Sequence, residues 1–230
     1  MEYSSILVIL IMAFSVGMVH ALDADHVIAV SSLARHKKSV RSSIYFCLNW
    51  TIGHSLTLLI VGFAVFVLGM AVPETMSTWA EFLVGIMLIL IGVGVFYDLR
   101  RKKAHLHFHQ HGDERPHAHW HTHQNEHNNE HSETHHRAIM VGVLHGAAGS
   151  APLIAILPFT IVSSPWLAIT YLALFSVGVF AAMLVVGGVI GSVFKYLNHG
   201  AEKLIRYFAI ALGSTSILFG GLLLNSVVPT

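Results

Sequence analysis

Residues 4–33 read SSILVILIMAFSVGMVHALDADHVIAVSSL. No lysine or arginine occurs in this run, and only His20, Asp23, Asp25 and His26 are ionisable. About 20 apolar residues suffice for a helix to cross roughly 30 Å of hydrocarbon. The stretch therefore reads as a membrane-spanning helix with titratable groups set inside it. Five further stretches have the same character, over residues 43–70, 80–99, 138–161, 167–196 and 203–227. The first and fifth exceed the minimum length, which predicts tilt or a break.

Composition agrees. Hydrophobic side chains make up 54% of the chain and charged ones 11%, less than half the roughly 25% charge of an average soluble domain. A water-facing surface cannot be built from so few charges. The fold class expected is an all-α integral membrane protein with six transmembrane helices. A cleavable signal peptide is not expected, because Glu2 stands where a basic residue would lie. A single cysteine, Cys47, excludes an intrachain disulfide framework, and a net charge of +1 argues against nucleic acid as a partner. No phosphate-binding glycine-rich loop with a following lysine occurs, so the chain itself does not hydrolyse ATP, and no ATPase subunit is evident in it.

The basic residues set the orientation. Arg35, Lys37, Lys38 and Arg41 follow the first span. Arg100, Arg101, Lys102, Lys103, Arg115 and Arg137 separate the third from the fourth, and Lys195, Lys203 and Arg206 the fifth from the sixth. That accounts for all 13 lysines and arginines, and an alternating path puts every one on the same side. The positive-inside rule makes that side cytoplasmic and places both termini outside a cytoplasmic (inner) membrane.

The two halves echo each other. A shift of 125 residues lays Gly17 and His20 on Gly142 and His145, Gly53 on Gly178, and Gly62 on Gly187. A shift of 128 lays Gly85 on Gly213 and Gly92 on Gly220. Three spans per half require the second half to be inverted. Such 3+3 repeats belong to secondary transporters, whose sites lie where the repeats meet near the bilayer midplane. The expected organisation is a first three-helix repeat over 1–99, a cytoplasmic loop over 100–137, and a second repeat over 138–230.

Chemistry concentrates at His20-Ala21-Leu22-Asp23-Ala24-Asp25-His26. Asp23 and Asp25 are the two of the chain's 12 acidic residues that fall within a predicted span rather than in loops or near a span end. An ionisable group at such depth is costly and marks function. On a regular helix His20, Asp23 and His26 fall in an i, i+3, i+6 series, so neighbouring turns aim ligands roughly one way. Asp25 then serves as an orienting partner for a ligating imidazole, or as a ligand from an unwound segment. His54 in the second span and His145 in the fourth add imidazoles, and Asn49 beside His54 adds an oxygen donor. Imidazole nitrogen with some carboxylate oxygen suits nickel, cobalt, zinc or copper better than calcium or magnesium.

The spacing His20-x4-Asp25-His26 resembles the signature of the nickel/cobalt transporter family, the NiCoT or NicO group. Gly53-His54-Ser55 is similar to that family's second-span element. The run from His145 through Gly146 and Ser150 to Ala151 looks like one found in its smaller urease-accessory relatives. The resemblance covers all six predicted spans loosely and these motifs closely. It implies transport of Ni²⁺ or Co²⁺ across the cytoplasmic membrane, with His20, Asp25 and His26 as binding and selectivity positions. The chain departs from the larger importers in having six predicted spans rather than eight and in lacking their later acidic motifs. Six spans with a histidine-rich loop also resembles the efflux branch.

Between residues 100 and 137 the chain changes character. Twelve of its 18 histidines lie between His105 and His136, among polar residues. Such a segment cannot bury a core and is expected to be disordered without metal. His105, His107, His109 and His111, with His117, His119, His121 and His123, alternate along it and form an auxiliary metal-binding set. Neutral imidazole is the ligating form, so the loop is pH-sensitive.

The reading is a secondary transporter of nickel or cobalt, preferred as uptake, with efflux as the alternative. Protonation of the same histidines and aspartates would weaken coordination, since ligands bind deprotonated. The chain is not expected to be an enzyme. An intramembrane metalloenzyme is the reading from another class, and the His-Glu-x-x-His zinc-hydrolase pattern is absent. A metal store or sensor built on the loop is a third. No resident cofactor is required. The partners are the divalent ion and the lipid bilayer, and a homo-oligomer is compatible with this reading.

Overall fold

A computed structural model describes residues 3–35, 37, 39–70, 74–101, 106–109, 117–120, 130–148, 164–197 and 202–227. The first predicted span is not one helix. α1 (Tyr3–His20) ends at His20, and α2 (Ala24–Ala34) restarts after three residues at an angle of 53°. No glycine or proline marks the break. The last turn of α1 tightens, with Leu22 N donating to Val19 O and Asp23 N to His20 O. Asp23 occupies the N-cap of α2 with an extended backbone, yet its side chain makes no capping hydrogen bond. Its carboxylate lies instead against His20. The dihedral change expected of an N-cap residue is thus put to use at a side chain from the preceding helix.

The remaining helices follow the apolar runs. α3 (Val40–Phe66) is capped by Ser39, whose Oγ accepts from Ser42 N at 3.1 Å. It ends before Gly69, whose φ of +67° turns the chain as a left-handed residue. α4 (Glu74–Arg101) follows. Beyond it, the loop expected to lack structure carries a short antiparallel ribbon, β1 (Leu106–His109) with β2 (His117–Trp120). Strict alternation of histidine with Leu, Phe, Ala and Trp has the period of a strand, which accounts for it. Its register pairs His107 with His119 and His109 with His117. Of the other expected loop ligands, His105, His111, His121 and His123 lie outside the described residues.

α5 (Glu130–Ala147) begins within the expected loop. The remainder of the fourth predicted span, with Pro152 and Pro158, lies outside the described residues. α6 (Pro165–Leu197) opens on a proline, favoured at the first helical position. At 33 residues it is one unbroken helix. α7 (Glu202–Val227) completes the set.

Four of these helices are long and apolar enough to cross a bilayer, and the bent α1–α2 pair makes a fifth span. The chain is thus an all-helical membrane protein apart from the ribbon. α1 packs on α6, α6 on α3 and α3 on α5, while α4 and α7 pair with each other and α2 bridges to both. Exposed apolar side chains such as Leu7, Ile60, Leu90, Val185 and Leu218 cover the outside. Trp79 and Trp166, near the starts of α4 and α6, are exposed as interfacial anchors would be.

Helix directions follow from the contacts. Gly142 and Gly146 of α5 meet Trp50 and Thr57 of α3 in rising order, so these helices run parallel. Gly187 and Gly191 of α6 meet Cys47 and Val40 of α3 in falling order, so these are antiparallel. Gly85 and Gly92 of α4 likewise meet Gly220 and Gly213 of α7 in falling order. At the foot of α2, Arg35 pairs with Asp98 of α4 and donates to Ser32 O at 3.1 Å.

Candidate metal centre

The α1–α2 break brings two helix ends to one place. His20 is the last residue of α1, Asp25 lies in the first turn of α2, and His26 follows. His54 comes from the middle of α3 and His145 from the last turn of α5. All four imidazoles are buried, each no more than 3% exposed. Ring centroids stand 4.6 Å apart for His20 and His26, 5.5 Å for His20 and His54, and 5.2 Å for His26 and His54. His145 stands 5.2 Å from His26.

Ligand atoms of His20, His26 and His54 lie within 4.8 Å of one another. Metal–imidazole bonds of about 2.0–2.1 Å bring such atoms closer than that, so small ring rotations seat an ion between them. Asp23, Asp25 and His26 form a second set of the same compactness. The two sets share His26, which makes it the hinge of the cluster.

Hydrogen bonds fix the direction of two rings. Asp25 Oδ1 lies 2.9 Å from His26 Nδ1, and with the proton on Nδ1 the carboxylate accepts it, leaving Nε2 as a free lone pair. His145 Nδ1 lies 3.0 Å from Val141 O in the same relation, again freeing Nε2. Asp25 thus has the geometry of an orienting partner, and it also belongs to the second compact set. Asp23 Oδ2 lies 2.7 Å from His20 Nδ1, without the alignment of a hydrogen bond. Its side chain is 44% exposed against 21% for Asp25, so Asp23 faces the mouth of the cluster. The positive end of α2 lies beside both carboxylates, and the negative end of α1 beside His20.

Buried polar atoms without partners are rare in native proteins. Among the described residues ten side-chain nitrogens or oxygens are in that condition, and six are imidazole nitrogens of these four histidines. Each neutral imidazole carries one N–H and one lone pair, so up to four of these nitrogens are unpaired acceptors, and packing them together is unfavourable unless something cationic accepts their lone pairs. A divalent ion bound by neutral imidazole meets that need.

Sequence reasoning grouped His20, Asp23, Asp25, His26, His54 and His145, and all six gather here. Asn49 does not join them by any hydrogen bond of its amide to the cluster. Its Nδ2 donates to Tyr45 O of its own helix at 2.7 Å. Trp50 and Phe175 were missed. The Trp50 indole stacks on His54 at 5.0 Å and 13°, and meets His26 edge-on at 5.0 Å and 82°. Phe175 lies 5.3 Å from His20. The four-residue spacing of Trp50 and His54, which puts both on one helix face, was the available signal.

Comparison with known proteins adds three findings. A family model described as a high-affinity nickel-transport protein, NicO, matches residues 6–227. The urease accessory protein UreH of Bacillus sp. (strain TB-90) is 31% identical over 220 residues, covering 96% of this chain and 92% of that protein. No solved structure matches.

Proposed function

The chain belongs to the NicO family of high-affinity nickel-transport proteins, and from that premise we propose that it carries Ni²⁺ through the membrane by way of His20, His26 and His54. The observation that carries the site assignment is the convergence of three buried imidazoles at a helix break. The chain is a transport protein and not an enzyme. Co²⁺ is the second cargo, since it favours the same donors. His145 stands beside this set, 5.2 Å from His26, and Asp25 orients His26. The direction is uptake, with efflux as the opposing outcome of the test below.

A 3+3 inverted repeat is supported by reciprocal contacts. If residues i and j touch across the halves, the residues at j shifted back by 125 and i shifted forward by 125 should touch as well. Gly17 meets Phe175, and Gly142 meets Trp50. Gly53 meets Ile139 and Val143, and Gly178 meets Phe14 and Met18. Gly62 meets Leu172, and Gly187 meets Cys47. The same holds at a shift of 128, where Gly92 meets Ile217 and Gly220 meets Ile89. His20 on Phe175 and His145 on Trp50 are related likewise. The cluster would then sit on the pseudo-two-fold axis, where rocking of one half against the other opens it to either side.

The membrane is the cytoplasmic one, with both termini outside and the basic loops inside. The histidine-rich loop collects metal at the cytoplasmic face. Its backbone register sets two histidine pairs opposite each other. A run so rich in histidine offers many alternative donor sets, so the specificity belongs to the buried cluster.

Metal accumulation in cells with and without the protein tests both direction and assignment. Uptake requires higher Ni²⁺ content with the protein, and lower content makes it an exporter. Unchanged content for both Ni²⁺ and Co²⁺ refutes the transport reading. Deletion of residues 106–129 is expected to leave most of the flux intact while lowering the metal retained per cell. A complete loss of flux would move the transport site into the loop.

A further inference from the structure

Trp50 is fully buried, and its ring touches three of the four histidines, with His145 at 5.5 Å in addition to His54 and His26. Its Nε1–H has no acceptor among the described residues. A cation bound by the imidazoles completes their lone pairs and does nothing for this donor. An indole N–H points the positive end of its dipole outward, so a bare ion beside it is repulsive. What the donor needs is an oxygen or anion arriving with the ion.

We propose that the transported ion keeps one water ligand in the site and that the indole N–H of Trp50 binds that water's oxygen. This rests on the assignment of His20, His26 and His54 as the transport site. The donor count agrees. Three imidazole nitrogens lie in one compact set, and divalent ions bound by three protein ligands commonly fill the next position with water. A bound water uses one lone pair on the metal and keeps the other for an N–H donor. It is also a strengthened donor itself.

The other half of the molecule sharpens the point. Phe175, which takes the place of Trp50 at a shift of 125 residues, lies 5.3 Å from His20 at a tilt of 38° and has no N–H. A role confined to filling space would be served equally by phenylalanine at both positions. The extra donor is present on the side that carries His54 and absent on the side where Val179 takes its place. Trp50 is thereby a positioning and selectivity residue. It favours ions that retain water over ions satisfied by four protein ligands.

The test compares the full chain with its Trp50→Phe variant in detergent, using Co²⁺ as the probe. Co²⁺ reports coordination number through its visible absorption, which strengthens as geometry approaches four-coordinate. The variant is expected to bind Co²⁺ about fivefold to tenfold more weakly, as loss of one hydrogen bond implies, with an altered visible band because the water's position is lost or refilled. Without metal its Tm should match or exceed that of the native chain, since an unpaired buried donor has been removed. Equal affinity with an unchanged band overturns the proposal. So does a lower metal-free Tm with an unchanged Co²⁺-induced rise, which would show that the N–H serves the protein alone. No visible band for the native chain itself would overturn the transport site, a failure separate from that of the Trp50 variant.

Discussion

His26→Ala is expected to reduce Ni²⁺ accumulation to the background of cells without the protein, with the variant still inserted in the membrane at normal levels. His26 is common to both compact ligand sets, so its removal breaks each. The neighbouring carboxylate gives the comparison that makes the result informative. Asp25 accepts from His26 Nδ1, and loss of such an orienting partner costs about 10–100-fold in metal affinity. Asp25→Ala should therefore lose activity within that range. Asp25→Asn keeps a carbonyl oxygen that can accept the same proton and should lose less. Removal of a direct ligand ought to exceed the orienting effect, so His26→Ala belongs at the far end of the series. Ni²⁺ affinity of the purified variants, read beside accumulation, checks the order. If Asp25→Asn is as severe as His26→Ala, the carboxylate binds the ion directly. If His26→Ala transports normally, the site lies elsewhere.

The clustered residues were legible because the bilayer makes ionisable groups conspicuous. His20, Asp23, Asp25 and His26 stood out against 30 residues of apolar sequence, and the same contrast exposed His54 and His145. The break between α1 and α2 was not assigned a position, although excess length predicted tilt or a break. Chain breaks usually announce themselves by glycine or proline, and neither is present at Ala21-Leu22-Asp23. The available signal was an aspartate at an N-cap position, which reads the same in a continuous helix until its neighbour's position is known. Trp50 escaped for the opposite reason. An aromatic residue in an apolar helix is the commonest thing such a helix contains, and only its spacing from His54 separates it from Phe63 or Phe66.

In the loop, alternation of histidine with Leu, Phe, Ala and Trp was visible, but ligand spacing and strand period are the same signal there. The ribbon of β1 and β2 shows the strand period. Small residues let membrane helices approach closely, so glycines that sit at backbone crossings keep the same intervals in both halves. Those crossings are the reciprocal contacts between α1 and α6 and between α3 and α5.

Glycine substitutions should consequently divide into two classes of opposite sign. A β-carbon at Gly142 would strike the carbonyl of Trp50, and one at Gly17 the carbonyl of Phe175. Backbone atoms cannot rotate aside, so the helices must separate. Overpacking of this kind costs roughly 1–3 kcal/mol. For Gly142→Ala the separation also moves Trp50 and His54 away from His145, so metal affinity should fall together with stability. Gly17→Ala sits in the related environment one half away and should destabilise by a similar amount while drawing His20 from Phe175. Gly188 in α6, Gly94 in α4 and Gly221 in α7 have nothing within 4 Å of an added β-carbon. There alanine should be neutral or stabilising by up to about 1 kcal/mol through helix propensity. Thermal unfolding of the purified variants with and without Ni²⁺ separates the two classes. Equal responses at Gly142 and Gly188 would mean that the crossing of α3 and α5 does not hold the centre together. A loss at Gly142 without one at Gly17 would argue against the two-fold relation between the halves, because that relation gives the two glycines equivalent neighbours, the carbonyls of Trp50 and Phe175.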